Sequence, residues 1–513
     1  MDRFISSVQK VTAIRRRYGS RCDASLDASG QWLLVVCGCM VYLRIEEKKN
    51  FDRMGNTSKK LASQCSLLTK EEQKYVGNTF KAASKNSGRI REDDLIVSGL
   101  LDAVLLEKHW GPLIDPRLAQ YLSNYLFDAG SQKAATCDFT RFAELYVYNV
   151  RGSVDQKMMV TYRSLGNYSE NDELPYQLIK EYCEAIVSTY IKVLKTGSKR
   201  AEKWIDKGFR GKAAAVQTLG EAVASGVGSD PDSPPQAVNS KQLSNWLMTD
   251  TLLKHMTETV YTTLYGIERD HTTDDGSPLT AVPQMLPTVH GLDSMPDYPA
   301  FIDLSHIVWL NNSIPPPLQQ KWRFLFSSHI HGESFATMVG RICDQGASII
   351  IIEDTHGHIF GGFATDSWEI GPNFVGREDS FLFTLAPKMR IYGSSGFNNH
   401  YQYLNQHTKT LPNGLLMGGQ FHFGAIWIPA DPFGEGSSAE SCTTYRGYKR
   451  LSKEKDFRIR SIEVWAVGDK PESDKELGER DVSILDTNPE AKAILEMAGK
   501  TRHSDGVREP PPL

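Results

Sequence analysis

The hydrophobic pattern of the sequence changes near residue 301, and this change restricts the chain to a fold whose two halves use different secondary structure. Before it, apolar residues recur at helical spacing, and the stretch NWLMTDTLLKHMTETVYTTLYG predicts one further helix. After it, short apolar runs alternate with Gly, Pro and Asn, which is typical of β-strands joined by turns. The sequence therefore predicts an α+β protein, with a helical N-terminal half followed by a β-sandwich that carries a few helices.

Composition and charge exclude several classes of protein. The chain has 513 residues, 40% hydrophobic and 23% charged, as in ordinary soluble globular proteins. Its net charge of -4 gives no overall basic field of the kind that attracts nucleic acid. Eight cysteines are too few for a disulfide scaffold, and Cys37 and Cys39 lack the second pair of a zinc site. We therefore expect free thiols in a reducing compartment, with no metal and no cofactor.

The N-terminal segment raises the question of where the working protein starts. Its apolar stretch, Trp32 to Leu43, is shorter than the roughly 20 residues that cross a bilayer. Arg15, Arg16 and Arg17 precede it as in a signal peptide, but no small-residue cleavage site follows. We expect residues 1–53 to be an extension, or a mis-called upstream start, that the working protein does not contain.

Helical patterns begin after Met54. Thr69 and Glu72 form a capping box, and Val76 and Phe80 lie on one face of the helix that follows. After the turn SKNSGRIREDDL, a second helix is predicted through Leu100, Leu101, Val104 and Leu105. This helix–loop–helix has the outline of an EF-hand.

The metal-binding positions of this EF-hand outline are degenerate. Aligned on Gly88, the loop has Ala83, Lys85 and Ser87 at its first three ligand positions and Asp94 at its last. Calcium needs several carboxylates, whereas Ala83 has no side-chain oxygen and Lys85 adds a positive charge. Similar outlines lie at 136–146 and 164–179, and two interpretations stay open: plain helical hairpins or working calcium sites.

The second half predicts specific elements of a β-sandwich. Phe335, Met338, Val339 and Ile342 have the spacing of a short helix that ends at Gly346. ASIIII and IFGGFA predict a strand and its partner, and the runs WRFLF, FLFTL, MRIYG, YQYL and FGAIWI predict further strands. In FRIRSIEVWAVG the apolar parity shifts between Ile459 and Ile462, which predicts a bulge near Arg460 and Ser461.

The charged tail ends in a predicted helix over 488–499. Asn488 can cap this helix, and its apolar stripe is formed by Ala491, Ile494, Leu495 and Ala498. Such a stripe docks either on its own domain or in the groove of a partner. Ile494, Leu495 and Ala498 are therefore candidate partner-binding residues.

Residue chemistry alone identifies no active site. His329 with His331, His356 with His358, and His400 with His422 are possible metal pairs, but a zinc site needs three or four convergent ligands. Cys442 has no local mark of activation, and neither a nucleophile elbow, nor a Walker loop, nor a dinucleotide fingerprint occurs. We therefore expect no catalytic residues and no enzymatic activity.

The motifs of the second half together resemble the TLD (TLDc) domain family. In order they are WRFLFSSHIHGESF, IIIIEDTHGHIFGGFATDSW, FLFTLAPKMRIY, GFNNHYQYLN, GLLMGGQFHFGAIWI and IEVWAVGD, and the tail from SILDTNPEAKAILEMAG resembles one branch of the family. The resemblance implies a TLD β-sandwich with flanking helices and a C-terminal helix, preceded by an EF-hand-like helical half.

The resemblance also implies a function. Members of the family are associated with binding the vacuolar-type proton ATPase and with oxidative-stress resistance, and this branch with mTOR signalling at the lysosome. It implies a non-enzymatic adaptor in the cytoplasm and on the cytoplasmic face of the lysosomal membrane. An enzyme using Cys442 or the histidines and a calcium sensor are the alternatives.

Proteins of this branch begin with a myristoylated Met-Gly-Asn, which the resemblance places at Met54, Gly55 and Asn56. Gly55 is therefore the candidate lipidation site, provided that translation starts at Met54. The acylation pattern asks for Ser or Thr where this chain has Lys59, with Ser58 one place earlier. A single myristoyl chain binds a membrane only marginally, so a second contact is required.

The predicted organisation has five parts. Residues 1–53 form the extension, 54–225 the degenerate EF-hand-like helical region, and 226–300 a linker with a helix. Residues 301–469 form the TLD domain, and 470–513 the charged tail.

Overall fold

The computed structural model divides the chain into two compact units, residues 1–66 and 67–513. In the first unit it describes only the backbone of three antiparallel strands, β1 (Cys22–Leu26), β2 (Trp32–Val36) and β3 (Cys39–Leu43), in that order. In the second unit the described residues are 67–84, 100–129, 132–133, 136–166, 168–169, 171–228, 230–267, 285–295 and 298–471.

The first part of the second unit, here called the helical region, comprises residues 67–267. Most of its helices begin at a side chain that accepts a backbone N–H, and the predicted capping box of Thr69 and Glu72 is confirmed. The helices are α1 (Lys70–Ala83), α2 (Ala103–Trp110), α3 (Pro116–Phe127), α4 (Phe139–Arg151), α5 (Val154–Gly166), α6 (Tyr176–Gly197), α7 (Lys199–Asp206), α8 (Ala213–Ser225), α9 (Ser240–Thr249) and α10 (Thr251–Leu264).

Two predicted helix boundaries are wrong for the same physical reason. Asp102 accepts from the N–H of Leu105 at 2.9 Å, so α2 begins at Ala103 rather than at Leu100. Asp250 accepts from the N–H of Leu253 at 2.8 Å, so the single helix predicted over 245–266 is two helices that meet at this residue. A short acidic side chain that caps a helix overrides apolar periodicity that runs through it.

Neighbouring helical hairpins are joined through their loops. Leu101 forms an antiparallel bridge with Cys137, and β6 (Leu174–Pro175) pairs antiparallel with β7 (Ala237–Val238). A further short pair, β4 (Asp128–Ala129) and β5 (Gln132–Lys133), closes the loop after α3. Each bridge satisfies backbone groups that a lone loop would leave to water.

The β region follows from residue 285 and confirms the predicted strands. Its helices are α11 (Leu304–Ser313), α12 (Ser328–His331) and α13 (Phe335–Ile342), with a 3-10 turn at Pro316–Leu318. Its strands are β8 (Thr288–His290), β9 (Lys321–Ser327), β10 (Ser348–Asp354), β11 (Ile359–Ala364), β12 (Phe381–Ala386), β13 (Arg390–Gly393), β14 (Tyr403–Asn405), β15 (Gly414–Gln420), β16 (Phe423–Pro429), β17 (Glu435–Ser437) and β18 (Asp456–Val467).

These strands form one continuous sheet in the order β13-β12-β11-β10-β18-β17-β16-β15-β14, with β9 also on β18 and β8 on β9. The long strand β18 belongs to both layers, because its first residues pair with β17 and its later residues with β10 and β9. Ile350 and Ile352 of one layer share a buried core with Met417 and Ile426 of the other. The opposite face of the first layer, with Ile349 and Ile351, packs with the helical region.

The predicted bulge in β18 is confirmed at Arg460. Glu353 of β10 pairs with Ser461 and the next residue, Asp354, pairs with Ile459, so Arg460 is the extra residue. The bulge returns Ile459 to the same core as Ile462, which explains the shift of parity in the sequence.

The helix α13 confirms its predicted apolar face, since Phe335, Met338, Val339 and Ile342 are all buried. The predicted stop is wrong: α13 ends at Ile342 with Cys343 as its cap, and Gly346 takes a φ of 81° in the turn before β10. Glycines in the strands permit close packing, because a Cβ at Gly361 would lie 1.9 Å from the carbonyl oxygen of Ile350.

Six aromatic rings join the helical region to the first layer of the sheet. The Trp204 ring lies 5.5 Å from that of Trp465, and Phe209 stacks on Tyr298 at 5.6 Å. The indole N–H of Trp204 donates to the carbonyl of Pro287 at 2.8 Å. We call this set the aromatic box: Trp204, Phe209, Tyr298, Trp322, Phe324 and Trp465.

Two polar contacts join the same two regions. The Asp303 carboxylate accepts from the N–H of Lys212, just before α8, at 2.9 Å, and the N–H of Asp303 donates to Nδ1 of His306 at 3.0 Å. In the segment predicted as a linker, Asp232 pairs with Arg390 and Lys449 of the β region. We call Asp232, Arg390 and Lys449 the ionic bridge.

Within the described ranges, no helix combines the length and the apolar character that crossing a membrane requires.

Candidate functional site

In two of the three predicted histidine pairs, one ring makes a structural contact and the other is exposed. Nδ1 of His331 accepts from the N–H of Ser327 at 3.1 Å and its ring stacks on Phe324, whereas His329 is exposed. Nδ1 of His400 lies 2.7 Å from the carbonyl oxygen of Gly419, whereas His422 is exposed. His331 and His400 therefore hydrogen-bond to the backbone of the β region, and His331 also stacks on an aromatic ring.

Asp354, which lies next to His356 and His358, organises a turn. Its carboxylate is fully buried and accepts from the N–H groups of His356 and His358 at 2.8 and 2.9 Å. It also accepts from the Ser452 hydroxyl at 2.6 Å. Hydrogen bonds therefore engage most of the lone pairs of this carboxylate, and two of them close the β10–β11 hairpin. Across the part of the chain that the structure describes, no three His, Cys, Asp or Glu side chains are grouped to hold a metal ion.

The thiols lack the surroundings of a nucleophile. Cys442 is a half-buried free thiol at the edge of the sandwich core, and it makes no hydrogen bond to a histidine of the described residues. Burial raises the pKa of Cys343 to about 11 and that of Cys137 to about 12, with Asp344 and Asp138 adding to the shifts. Thiols whose pKa lies so high stay protonated and unreactive at neutral pH.

The EF-hand alignment on Gly88 falls between α1, which ends at Ala83, and α2, which begins at Ala103. Its fit to a calcium loop stays a prediction. Lys85, Ser87, Gly88 and Asp94 lie outside the described residues. In the second outline, Arg141 near the start of α4 donates from Nε to the carbonyl oxygen of Tyr125 at 2.9 Å.

The third outline has one described carboxylate with a structural role. Asp172 accepts from the N–H and the hydroxyl of Ser169, both at 2.7 Å, while Asn167 lies outside the described residues. These two contacts hold Ser169 and Asp172 together in the loop between α5 and α6, and calcium binding stays a prediction that calorimetry can test.

The strongest candidate for a partner-binding site is a set of exposed apolar side chains on loops and a hairpin of the sandwich. Phe397 is 79% exposed, Phe423 is 53% exposed and Val375 is 38% exposed. Folded proteins rarely leave several large apolar side chains together in water unless a partner covers them. We call Phe374, Val375, Phe397, Phe421 and Phe423 the exposed aromatic surface.

Two loops and a hairpin build the exposed aromatic surface. His400 stacks on Phe374 at 4.3 Å between ring centres, and Phe374 lies 5.3 Å from Phe421. The loop that carries Phe397 is fixed because its N–H donates to the Ser395 hydroxyl at 3.1 Å. Phe423 lies opposite Gln420 at the closed end of the β15–β16 hairpin.

The chain is held rigidly behind these side chains. Asn398 Oδ1 accepts from the Thr444 hydroxyl at 2.9 Å, and the same hydroxyl oxygen accepts from the N–H of Gly419 at 2.9 Å. Because the loops are fixed before a partner arrives, binding would cost little ordering entropy.

Sequence reasoning missed this surface and placed its candidates elsewhere. Gly55, Ile494, Leu495 and Ala498 lie outside the described residues, so they stay predictions. The motifs GFNN and QFHF carry the missed signal, because each places a phenylalanine among turn-forming residues where burial is not expected.

Comparison with known proteins agrees with the architecture. The family model described as TLDc domain matches residues 295–468. The chain is 34% identical over 370 residues to the MTOR-associated protein MEAK7 of Gallus gallus, covering 70% of this chain and 76% of that protein. It is 35% identical over 391 residues to the MTOR-associated protein MEAK7 of Xenopus laevis, covering 74% and 82%.

A more distant match covers a smaller part of the chain. Nuclear receptor coactivator 7 of Homo sapiens is 30% identical over 169 residues, which are 33% of this chain and 17% of that protein. None of these relatives is named for an enzymatic activity. The chain therefore belongs to the TLDc domain family, in the group that includes the MTOR-associated protein MEAK7.

Proposed function

We propose that the protein is a non-enzymatic adaptor that supports mTOR signalling from the cytoplasmic face of the lysosomal membrane and binds the vacuolar-type proton ATPase. The observation that carries the proposal is similarity to MTOR-associated relatives over about three quarters of the chain, which includes helices as well as the sandwich. The dispersed histidines and the engaged Asp354 carboxylate support a binding role rather than a catalytic one.

The exposed aromatic surface is the proposed docking point for a protein partner. Exposed phenylalanines on a fixed scaffold are suited to become the buried anchors of an interface, since aromatic residues are enriched among binding hot spots. The predicted helix over 488–499, with Ile494, Leu495 and Ala498, is a second proposed contact.

A pull-down from lysosomal lysate tests these contacts. Three baits are compared: the full chain, the double variant that combines Phe397→Ser with Phe423→Ser, and a form that lacks residues 488–499. We expect each change to lower recovery of proton-pump subunits or mTOR at least tenfold, because each removes apolar area from an interface.

The matched control is Met248→Ser in the helical region, where an exposed methionine (59% exposed) lies on α9. It removes a comparable apolar side chain and should leave recovery unchanged. Equal recovery with every bait would refute the two proposed contacts, and no recovery of the pump and mTOR with the full chain would refute the adaptor proposal.

Membrane attachment is proposed to use an acyl chain on Gly55 after initiation at Met54. Intact mass of the protein isolated from its own cells reports the start residue and the acyl chain together. Gly55→Ala should abolish the mass increment and most sedimentation with lysosomal membranes, because a free N-terminal glycine is the acceptor. A mature protein that starts at Met1 would rule this anchor out.

A further inference from the structure

Glu463 is a buried carboxyl at the contact between the helical region and the sheet. It lies in the middle of β18, has 0% exposure, and pairs in register with Ile351 of β10 and Ser327 of β9. It shares the parity of Trp465, whose side chain belongs to the core with the helices. Its Oε2 accepts from the indole N–H of Trp465 at 3.0 Å. The carboxyl therefore holds one ring of the aromatic box.

The polar surroundings of Glu463 contain no compensating cation. Among the described residues no Lys, Arg or His forms an ion pair with it. The hydroxyls of Ser327 and Ser461 have no hydrogen-bond partner there either, and the hydroxyl that interacts with the carboxyl, that of Tyr298, is uncharged. A buried carboxylate without a cation is costly, whereas a protonated carboxyl is tolerated.

Each element packed around Glu463 contributes a different neighbour. Tyr298 precedes α11 and brings a buried hydroxyl, while Glu353 of β10 brings a carboxylate that pairs with Arg460 at 3.4 Å. On α12, His331 stacks on Phe324 at 5.7 Å and has a pKa lowered by burial and then by Arg341. None of these groups supplies a positive charge to Glu463 at neutral pH.

The balance of these effects favours the protonated carboxyl. Burial raises the pKa of Glu463 to about 7, although the Tyr298 hydroxyl and the Trp465 N–H lower it, and Glu353 adds to the rise. A folded-state pKa above the ordinary value means that the stabilising contribution is complete at low pH and is lost as pH rises through about 7.

We propose that Glu463 is a proton-sensitive latch between the helical region and the sheet. The neutral carboxyl keeps Trp465 seated against Trp204 in the aromatic box. Ionisation places a negative charge among apolar rings, so the carboxylate gains by moving toward water and the ring contact with α7 loosens. The latch would change how firmly the two regions are docked within the pH range of a living cell.

Hydrogen exchange of the full chain tests the latch. Exchange of α7 (Lys199–Asp206), divided by the intrinsic exchange rate at each pH, gives its opening equilibrium at pH 6 and pH 8. An open state with an ordinary carboxyl pKa predicts an increase on the order of tenfold between these pH values. The strand β15 serves as the internal reference, because it lies in the other layer and should not change. Tryptophan emission should shift over the same range.

The matched variants are Glu463→Gln and Glu353→Gln. Glu463→Gln should make α7 exchange independent of pH, whereas Glu353→Gln should retain the dependence. The wild-type result is decisive even where Glu463→Gln fails to fold: equal opening of α7 at pH 6 and pH 8 overturns the proposal. A dependence that Glu463→Gln leaves intact overturns it as well.

Discussion

The aromatic box and the ionic bridge join the same two regions of the chain, yet they differ in how they meet water. Trp204, Trp322 and Trp465 in the box are fully buried, whereas Asp232 and Lys449 in the bridge are 31% and 61% exposed. Rings of this size each remove about 150–250 Å² from water on burial, while an exposed ion pair is worth about 0–1 kcal/mol. The comparison indicates that the aromatic box supplies most of the free energy that holds the two regions together, and that the ionic bridge adds a small contribution at the exposed edge of the contact.

Loss of a ring from the box is expected to have the largest effect. Trp204→Ala should lower the free energy of unfolding by about 3–5 kcal/mol, because it leaves a cavity beside Trp465 and Phe209. Urea unfolding at fixed pH measures the loss. Trp204→Phe keeps most of the apolar volume and serves as the control with a smaller loss. A decrease below about 1 kcal/mol for the alanine variant would show that the box does not hold the regions together.

The Asp303 contact is expected to come second, and it depends on pH. Burial lowers the pKa of His306 to about 4. The charge of Lys212 adds to this decrease, whereas the charge of Asp303 opposes it. Because the folded-state value is depressed, the neutral ring contributes fully above about pH 6.5 and its contribution is lost as pH falls toward 4. The loss should reach roughly 3 kcal/mol, at 1.36 kcal/mol for each pKa unit.

Urea unfolding between pH 7 and pH 4.5 measures this loss. His306→Gln cannot take up a proton but retains a side-chain acceptor for the N–H of Asp303. It should therefore lose less stability than the wild type over the same range. Parallel pH profiles of the two proteins would contradict the role given to His306.

The sequence predicted the sandwich better than the contacts that hold it to the helices. Unbroken β-branched runs and the shift of parity around Arg460 are local signals, and β10 and the β18 bulge follow from them. The rings of the box come from distant parts of the chain, with Trp204 and Trp465 more than 250 positions apart, so no local pattern brings them together. Lone aromatic residues read as ordinary core positions until the fold is known.

The candidate site shows the same division. Spacing did not favour a zinc site at the histidine pairs, and it could not show which groups the rings of His331 and His400 contact. Exposure of Phe397 and Phe423 depends on the ends of hairpins and loops, where sequence patterns are least informative.

The helix starts at Ala103 and Thr251 were missed because apolar periodicity concealed the capping roles of Asp102 and Asp250.

The ionic bridge is expected to contribute far less than the box. Asp232→Asn should lower the free energy of unfolding by less than about 1 kcal/mol, because the carboxylate is partly exposed and its charge is screened. Added salt should reduce the difference between the variant and the wild type. A loss as large as that of Trp204→Ala, or one that salt does not change, would show that this pair acts as part of the buried contact.

Lys449→Gln should have the smallest effect on unfolding. Asp232 keeps Arg390, whose guanidinium also donates to the carbonyl oxygen of Pro231 at 2.6 Å and is only 12% exposed. The lysine adds a mobile charge at the rim, where side-chain entropy offsets most of the attraction. A double-mutant cycle of Asp232→Asn with Lys449→Gln measures the coupling directly. Coupling that exceeds the whole effect of Asp232→Asn would place Lys449, rather than Arg390, at the centre of the bridge. A coupling near zero would leave Arg390 as its principal partner and confirm that exposure decides the strength of this contact.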